Sequence, residues 1–137
     1  MVNLPTTQVF SDHAWLDEER LLTITDVGEI YIIENNEVRQ HITRAFRESE
    51  PLPITAIRAY SRGFFLGSDE GTMALWMKSD ESTTPGHKQV YEFVRKWLPG
   101  RKRNCRVNGL AVSTSEETLA VAFNDNDLGI SNISSIL

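Results

Sequence analysis

A short pattern occurs twice in this chain, first at Asp26 and again 43 residues later at Asp69. In both copies the aspartate, one spacer residue and a glycine, Gly28 or Gly71, lie between two short apolar runs. The glycine supplies the positive φ of a tight hairpin turn, and the aspartate side chain can cap the turn backbone. The pattern therefore predicts the same link between two strands at two places, separated by the length of one structural repeat.

A third, degraded copy begins at Asn124 and has Asn126 in the place of the glycine. Asparagine is the next-best residue at positive φ, so this copy keeps the turn. Two apolar segments joined by a polar corner precede every turn, and each copy therefore predicts strand, corner, strand, turn, strand. In the first copy the strands predicted before the turn are residues 9–16 and 21–25. In the second copy they are residues 54–60 and 64–68, and in the third copy residues 107–112 and 118–123.

The strands in the middle of each copy are apolar at nearly every position, as in residues 30–33, 64–66 and 119–123. A strand of this kind needs partners on both of its faces, and sheets stacked face to face around an axis provide them. The sequence thus predicts an all-β fold of about three four-stranded antiparallel blades of a β-propeller.

A fourth, more polar strand is predicted at residues 37–42 and again at 89–97. The second is ambiguous, because alternate residues from Tyr91 to Trp97 fit one face of a strand, whereas the apolar spacing that starts at Val90 also fits a helix. The order of elements in the first copy favours the strand.

We expect one blade at about residues 8–42, a second at 54–97 with a long loop at 78–89, and an incomplete third at 107–137. A propeller closes with four or more blades of roughly 40 residues each, so this chain supplies about three. The chain is therefore expected to be an incomplete part of a larger propeller that needs further blades of its own chain. The first and last blades then lack a neighbour, which we expect to expose core side chains such as Leu119, Val121 and Phe123. A self-contained small β-domain is the alternative.

The order of elements resembles the four-stranded blade of the WD-repeat family. Trp76 lies where that family has its tryptophan, and Met77 replaces the aspartate that follows it. Residues 10–16, 60–64 and 113–119 also look like a stretch of the tandem propellers in WD-repeat proteins of the ciliary axoneme.

This resemblance implies a non-catalytic scaffold in the cytoplasm and cytoskeleton, at the axoneme of a cilium or flagellum. It implies a role in assembling or positioning inner dynein arm components for ciliary motility, with other axonemal proteins as partners. The alternatives are a cytosolic WD-repeat adaptor in trafficking or complex assembly and an enzyme built on a propeller. Long downstream heptad repeats would favour the axonemal protein, and convergent polar residues in a central pocket would favour the enzyme.

Six arginine and lysine residues lie close together in the sequence, in residues 95–106, although the net charge of the chain is −5. Arg101, Lys102 and Arg103 form the centre of this stretch, and we expect them to contact a partner such as an acidic tubulin tail. A solvated loop between blades is the alternative. The acidic balance and the lack of an aromatic-rich groove argue against nucleic acid as a partner.

The sequence contains no pattern typical of catalysis or of cofactor or metal binding. His13, His41 and His87 have no neighbouring ligands at metal spacing, and no phosphate-binding loop or Gly-x-Ser-x-Gly motif occurs. Cys105, the single cysteine, has no partner base beside it and is expected to be a free structural thiol in a reducing compartment. No apolar run approaches the length that spans a bilayer, so no membrane partner is expected.

Overall fold

The computed structural model describes residues 8–79, 91–99 and 105–137. Within them the chain forms eleven strands and one short helix, α1 (Ile133–Ile136). The strands are β1 (Phe10–Trp15), β2 (Arg20–Thr25), β3 (Ile30–Glu34), β4 (Glu37–Ile42), β5 (Ile54–Tyr60), β6 (Gly63–Ser68), β7 (Met73–Lys78), β8 (Tyr91–Trp97), β9 (Val107–Val112), β10 (Thr118–Phe123) and β11 (Leu128–Asn132).

These strands form three successive sheets, in which each strand pairs antiparallel with its neighbour in the chain. Blade one contains β1 to β4, blade two contains β5 to β8, and blade three contains β9 to β11. The first strand of blade two, β5, contacts the first strands of both other blades, β1 and β9, while β4 and β8 form the outer edges. The prediction of an all-β fold built from successive antiparallel sheets is confirmed.

Blade two has an apolar cluster on each of its faces, and every residue of β6 is buried. Toward blade one, Phe64 and Leu66 pack in a cluster with Leu22 and Ile32. Toward blade three, Phe65 packs in a second cluster, which contains Leu75, Leu119 and Val121. Since successive residues of a strand point to opposite faces, the continuous apolar run supplies both clusters at once.

The expectation that Leu119, Val121 and Phe123 are exposed is wrong, because all three are buried against blade two. The opposite face of blade three carries the exposed apolar side chains, with Leu128 at 62% and Ile130 at 67% relative exposure. The hydrophobic pattern predicts that a strand has an apolar face, but it does not tell which neighbour covers that face.

β-Bulges recur at equivalent places in the blades, a feature with no counterpart in the sequence pattern. One residue is unpaired near the start of the first strand of every blade: Ser11, Thr55 and Asn108. A second kind of bulge occurs in the fourth strand of blades one and two, where Arg39 in β4 and Val94 in β8 are unpaired. Bulges increase the local twist and redirect side chains, and here both kinds lie at the inner or outer edge of a sheet.

The segment that fits either a helix or a strand is the strand β8 from residue 91 onward, and its pairing with β7 decides the outcome. Residues 80–90, which include most of the long loop expected at 78–89, lie outside the described residues. Helix α1 is not anticipated by the sequence analysis, although Asn132 caps it by accepting the amide of Ser134 at 3.0 Å. In the part of the chain described here, no helix has the length and apolarity needed to cross a bilayer.

The exposed outer faces predict that the isolated 137-residue chain self-associates, because Trp15 on blade one and Ile130 on blade three are more than half exposed. Replacing both with threonine, which keeps strand propensity, should shift the chain toward monomer in sedimentation velocity. Threonine at Val94, which is exposed at the β8 bulge, serves as the control and should leave association unchanged. A monomeric, cooperatively melting 15.5 kDa wild-type species would contradict this expectation.

Candidate interaction surfaces

The three turns of the repeated pattern have the same geometry. Gly28 and Gly71 have φ values of 88° and 90°, and Asn126 has a φ of 70°. In each turn the residue at positive φ donates its amide to the last residue of the preceding strand: Gly28 to Thr25 at 3.1 Å, Gly71 to Ser68 at 3.4 Å and Asn126 to Phe123 at 3.2 Å. The turns lie at one rim of the blades, which we call the turn rim.

The acidic or amide residue at the start of each turn links the turn to the chain that enters the same blade. The amides of Asp26, Asp69 and Asn124 donate to the carbonyls of Val9 at 2.8 Å, Pro53 at 3.3 Å and Arg106 at 3.0 Å. In the first turn the Asp26 carboxylate also accepts the Val9 amide at 3.3 Å. The aspartate side chain therefore holds the incoming strand.

A hydroxyl residue just before the aspartate caps the first two turns. Thr25 Oγ1 accepts the amide of Glu29 at 3.1 Å, and Ser68 Oγ accepts the amides of Glu70 at 3.2 Å and Thr72 at 3.0 Å. The sequence pattern predicts the aspartate as the cap, whereas in the structure these hydroxyl residues cap the turns. The available signal is the Thr-Asp or Ser-Asp pair that begins both copies.

The two glycines also lie against the connectors that lead into the next blade. A Cβ atom at Gly28 would stand 2.0 Å from the carbonyl oxygen of Leu52, and one at Gly71 would stand 2.8 Å from that of Cys105. Both positions therefore require glycine twice over, for the backbone conformation and for the close approach. Both glycine turns are thus contacts between one blade and the connector to the next.

Polar side chains join blades one and two. The side-chain amide of Gln40 accepts the Tyr91 amide and donates to the Tyr91 carbonyl, both at 2.8 Å, as a neighbouring strand would. The indole of Trp76 donates to the carbonyl of Ala45 at 2.8 Å, which anchors the connector between the blades. These contacts join residues 51 and 31 positions apart, and the sequence pattern gives no sign of either.

Blades two and three meet at a polar cleft on the opposite rim, with a volume of about 600 Å³. Here Glu116, at a φ of 60°, accepts hydrogen bonds from the amide and the hydroxyl of Ser61, at 2.7 and 2.5 Å. The hydroxyl and amide of Ser61 lower the pKa of the Glu116 carboxyl. Burial raises the pKa of Tyr60, which also lines the cleft.

A second contact joins blades two and three nearer the turn rim. There Thr55 Oγ1, at the β5 bulge, donates to the carbonyl of Val107 at 2.6 Å.

Two further carboxylates, both in blade one, are held by hydrogen bonds and nearby cations. Gln8 donates to Glu29 at 2.9 Å, the main cause of the lowered pKa of Glu29, and His41 lies 2.6 Å from the same carboxylate. Partial burial opposes ionisation of Asp17, but the backbone amides of Glu19 and Arg20 and two nearby cations outweigh it and lower its pKa.

The remaining residues singled out from the sequence are not brought together into a chemical site. Arg101, Lys102 and Arg103, the expected partner contact, lie outside the described residues. Cys105 is half-buried in the connector beneath Gly71. Within residues 8–79, 91–99 and 105–137, no group of three or more histidine, cysteine, aspartate or glutamate residues is placed to hold a metal ion. The described surface therefore presents two rims, the polar cleft between blades two and three, a groove between blades one and two, and exposed sheet faces.

Comparisons with known proteins give a relative by sequence and a similar fold by structure. No family model matches the chain. Its sequence is 26% identical over 104 residues to cilia- and flagella-associated protein 57 A of Tetrahymena thermophila, over 76% of this chain and 8% of that protein. Its structure is similar to the crystal structure of the β-propeller domain of Cps50 (Swd1) from Myceliophteria thermophila, with a TM-score of 0.74 at 17% identity, over 95% of this chain and 42% of that one.

The three sheets are therefore blades of a β-propeller, and they form an incomplete one, since they span less than half of the solved propeller. The predicted fold class is confirmed. The resemblance to a WD-repeat protein of cilia and flagella is also confirmed, at the level of the sequence similarity just given.

Substituting Gly28 with alanine should reduce the free energy of unfolding by about 1–3 kcal/mol or more, because the methyl group meets the Leu52 carbonyl and φ is positive. Gly109→Ala is the matched control, since nothing lies within 4 Å of a Cβ at that position. Urea unfolding followed by tryptophan fluorescence measures both variants. Equal stability of the two variants would show that the contact at the turn is unimportant.

The lowered pKa of Glu29 predicts a pH-dependent contribution to stability. A carboxyl whose pKa is depressed by folding stabilises the protein above its ordinary pKa of 4.5, and the stabilisation is lost as the pH falls through the folded-state value. The stability difference between wild type and Glu29→Gln should thus be present at neutral pH and should disappear as the pH falls below the folded-state pKa of Glu29. Urea unfolding at a series of pH values measures this difference, and one that persists in acid would refute the assignment.

Proposed function

We propose that this chain is part of a non-catalytic WD-repeat scaffold of the cilium or flagellum. In this role it helps to assemble or position inner dynein arm components on the axoneme, for ciliary motility. The observation that carries the proposal is the sequence match over 76% of the chain to a protein named for its association with cilia and flagella. Because this chain spans 8% of that relative, the role of the whole protein is inferred from a small part of it.

The architecture supports a scaffold that acts through protein contacts. Propellers bind partners through the loops at their rims and through their blade faces, and they do so without chemistry of their own. In this chain the seams between blades are closed by paired polar groups, such as Gln40 with Tyr91 and Ser61 with Glu116. These contacts hold the rims in fixed relative positions, which is what a positioning surface needs.

The proposed partners are other axonemal proteins, namely inner dynein arm components and tubulin. We place one candidate contact at Arg101, Lys102 and Arg103, whose positive charge suits an acidic tubulin tail. Reversing these three charges in the full protein should weaken axonemal retention while leaving thermal stability unchanged, because clustered arginine and lysine side chains are rarely part of a core.

The decisive test uses a motile ciliated cell that carries a tagged copy of the full protein. Gly71→Val places a β-branched residue at a φ of 90°, 2.8 Å from the Cys105 carbonyl, and should destabilise one blade by about 1–3 kcal/mol or more. We expect reduced axonemal occupancy and disturbed beating, measured by fluorescence of isolated axonemes and by high-speed video. Gly109→Ala, with open space at its Cβ, is the control.

A second strain, which lacks the protein altogether, tests whether the protein is needed for beating. Normal beating in this strain, together with a cytosolic distribution of the tagged protein in the first strain, would contradict the ciliary role. A cytosolic adaptor in trafficking or complex assembly would then be the better assignment.

A further inference from the structure

An open groove of about 460 Å³ lies on the outer side of the seam between blades one and two. Its walls are the end of β4 with the first residues of the connector, and the start of β8. The hydrogen bonds between Gln40 and Tyr91 join the two walls. This surface is separate from the turn rim and from the cleft between blades two and three.

Arg47 is held in place on one side of this groove. Its guanidinium carbon lies 5.2 Å from the ring centroid of Trp76 and 5.5 Å from that of Phe93, within the range of cation–π contacts. Its backbone is fixed as well, since its amide donates to the carbonyl of Arg44 at 3.0 Å and its φ is 54°. The charge is therefore ordered before any partner arrives, which reduces the entropy lost on binding.

Arg44 lies beside it and is exposed to solvent. The hydrogen bond of its guanidinium is to the carbonyl of Thr43 at 3.2 Å. Several other cations of the described chain form ion pairs with carboxylates, namely Arg20, Arg39, Lys78 and Lys96. Among the described residues neither Arg44 nor Arg47 lies within ion-pairing distance of a carboxylate, although Arg44 is near enough to Glu29 to contribute to the lowered pKa of that carboxyl. Two guanidinium groups thus face an open groove on a chain whose net charge is −5.

The shape of the groove suits an extended chain. One wall is β4, the outermost strand of its sheet, and no further strand pairs with it in the described structure. A segment lying along this edge can add main-chain hydrogen bonds, while side chains at alternate positions reach toward the arginines. Phe93, which is half-buried, offers an apolar contact on the other wall.

We propose that this groove binds an extended acidic segment of a partner protein. Two carboxylates of the segment pair with Arg44 and Arg47, because a planar guanidinium group can donate two parallel hydrogen bonds to one carboxylate. Glu92 also lines the groove and opposes the binding of any anion. With only two arginines and this carboxylate, the groove suits a peptide better than the dense phosphate charge of a nucleic acid.

The test measures binding of a fluorescein-labelled peptide of repeated Glu-Gly pairs to the purified full protein by fluorescence anisotropy. Arg44→Glu should weaken binding by about tenfold or more, because it removes one ion pair and introduces repulsion. Arg47→Lys keeps the charge but loses the planar contact and should weaken binding by a smaller factor. Glu92→Gln should tighten binding, a change of opposite sign that a damaged fold would not produce.

Arg58→Glu is the matched control, since Arg58 is an exposed arginine on β5, away from the groove. Binding by this variant should remain within about twofold of wild type if the groove, and not overall charge, attracts the peptide. Circular dichroism and thermal unfolding verify that each variant is folded. The proposal does not depend on the cellular location of the protein, so the peptide assay can succeed where the ciliary assignment fails.

Three outcomes would overturn the proposal. They are an unchanged affinity in folded Arg44→Glu, an equal loss in Arg58→Glu, and tighter binding of single-stranded DNA than of the acidic peptide with the same dependence on Arg44. The last would reassign the groove to nucleic acid.

Discussion

Burial of both faces of the middle strands is the constraint on which this structure depends. In β6 consecutive residues point in opposite directions, so Phe64 and Phe65 belong to different apolar clusters. Each fully buried side chain of this size contributes roughly 1.5–3 kcal/mol relative to exposure. Removing either neighbouring blade would therefore expose one whole face of blade two. The blades stabilise one another, and no single blade has a core of its own.

Apolar contact is non-directional, and directional contacts determine how the blades sit against each other. At the outer edge, Gln40 bonds the backbone of Tyr91 in the neighbouring blade. Near the axis, Thr55 bonds Val107 across the next seam. The turns at Gly28 and Gly71 also rest on the connector to the following blade, against the carbonyls of Leu52 and Cys105. These contacts position the rims, and the rims are the surfaces that a scaffold presents.

The turns and strands could be predicted from the sequence because their causes are local. Positive φ at Gly28 and Gly71 follows from glycine itself, and the strands follow from apolar runs between polar corners. The seams could not be predicted, since Gln40 and Tyr91 are 51 positions apart and neither residue type signals the contact. Local reasoning also failed where two neighbours compete, as when it assigned the turn cap to Asp26 although Thr25 performs it. For β8, periodicity left two answers open, and only pairing with β7 distinguishes them.

The bulges near the start of each first strand bear on how such a chain can evolve. Thr55 is an extra residue in the ladder between β5 and β6, with Ile54 and Ala56 paired on either side of it. Deleting it would make Ile54 and Ala56 consecutive and would leave each of them on its present face, but the ladder would lose the bulge and the extra twist that it provides. Replacing it keeps the extra residue and therefore the bulge. We therefore expect related sequences to keep one residue at each bulge, and to tolerate substitution at Ser11 and Asn108 better than at Thr55, whose hydroxyl bonds Val107. Insertions and deletions should be confined to the connectors between blades.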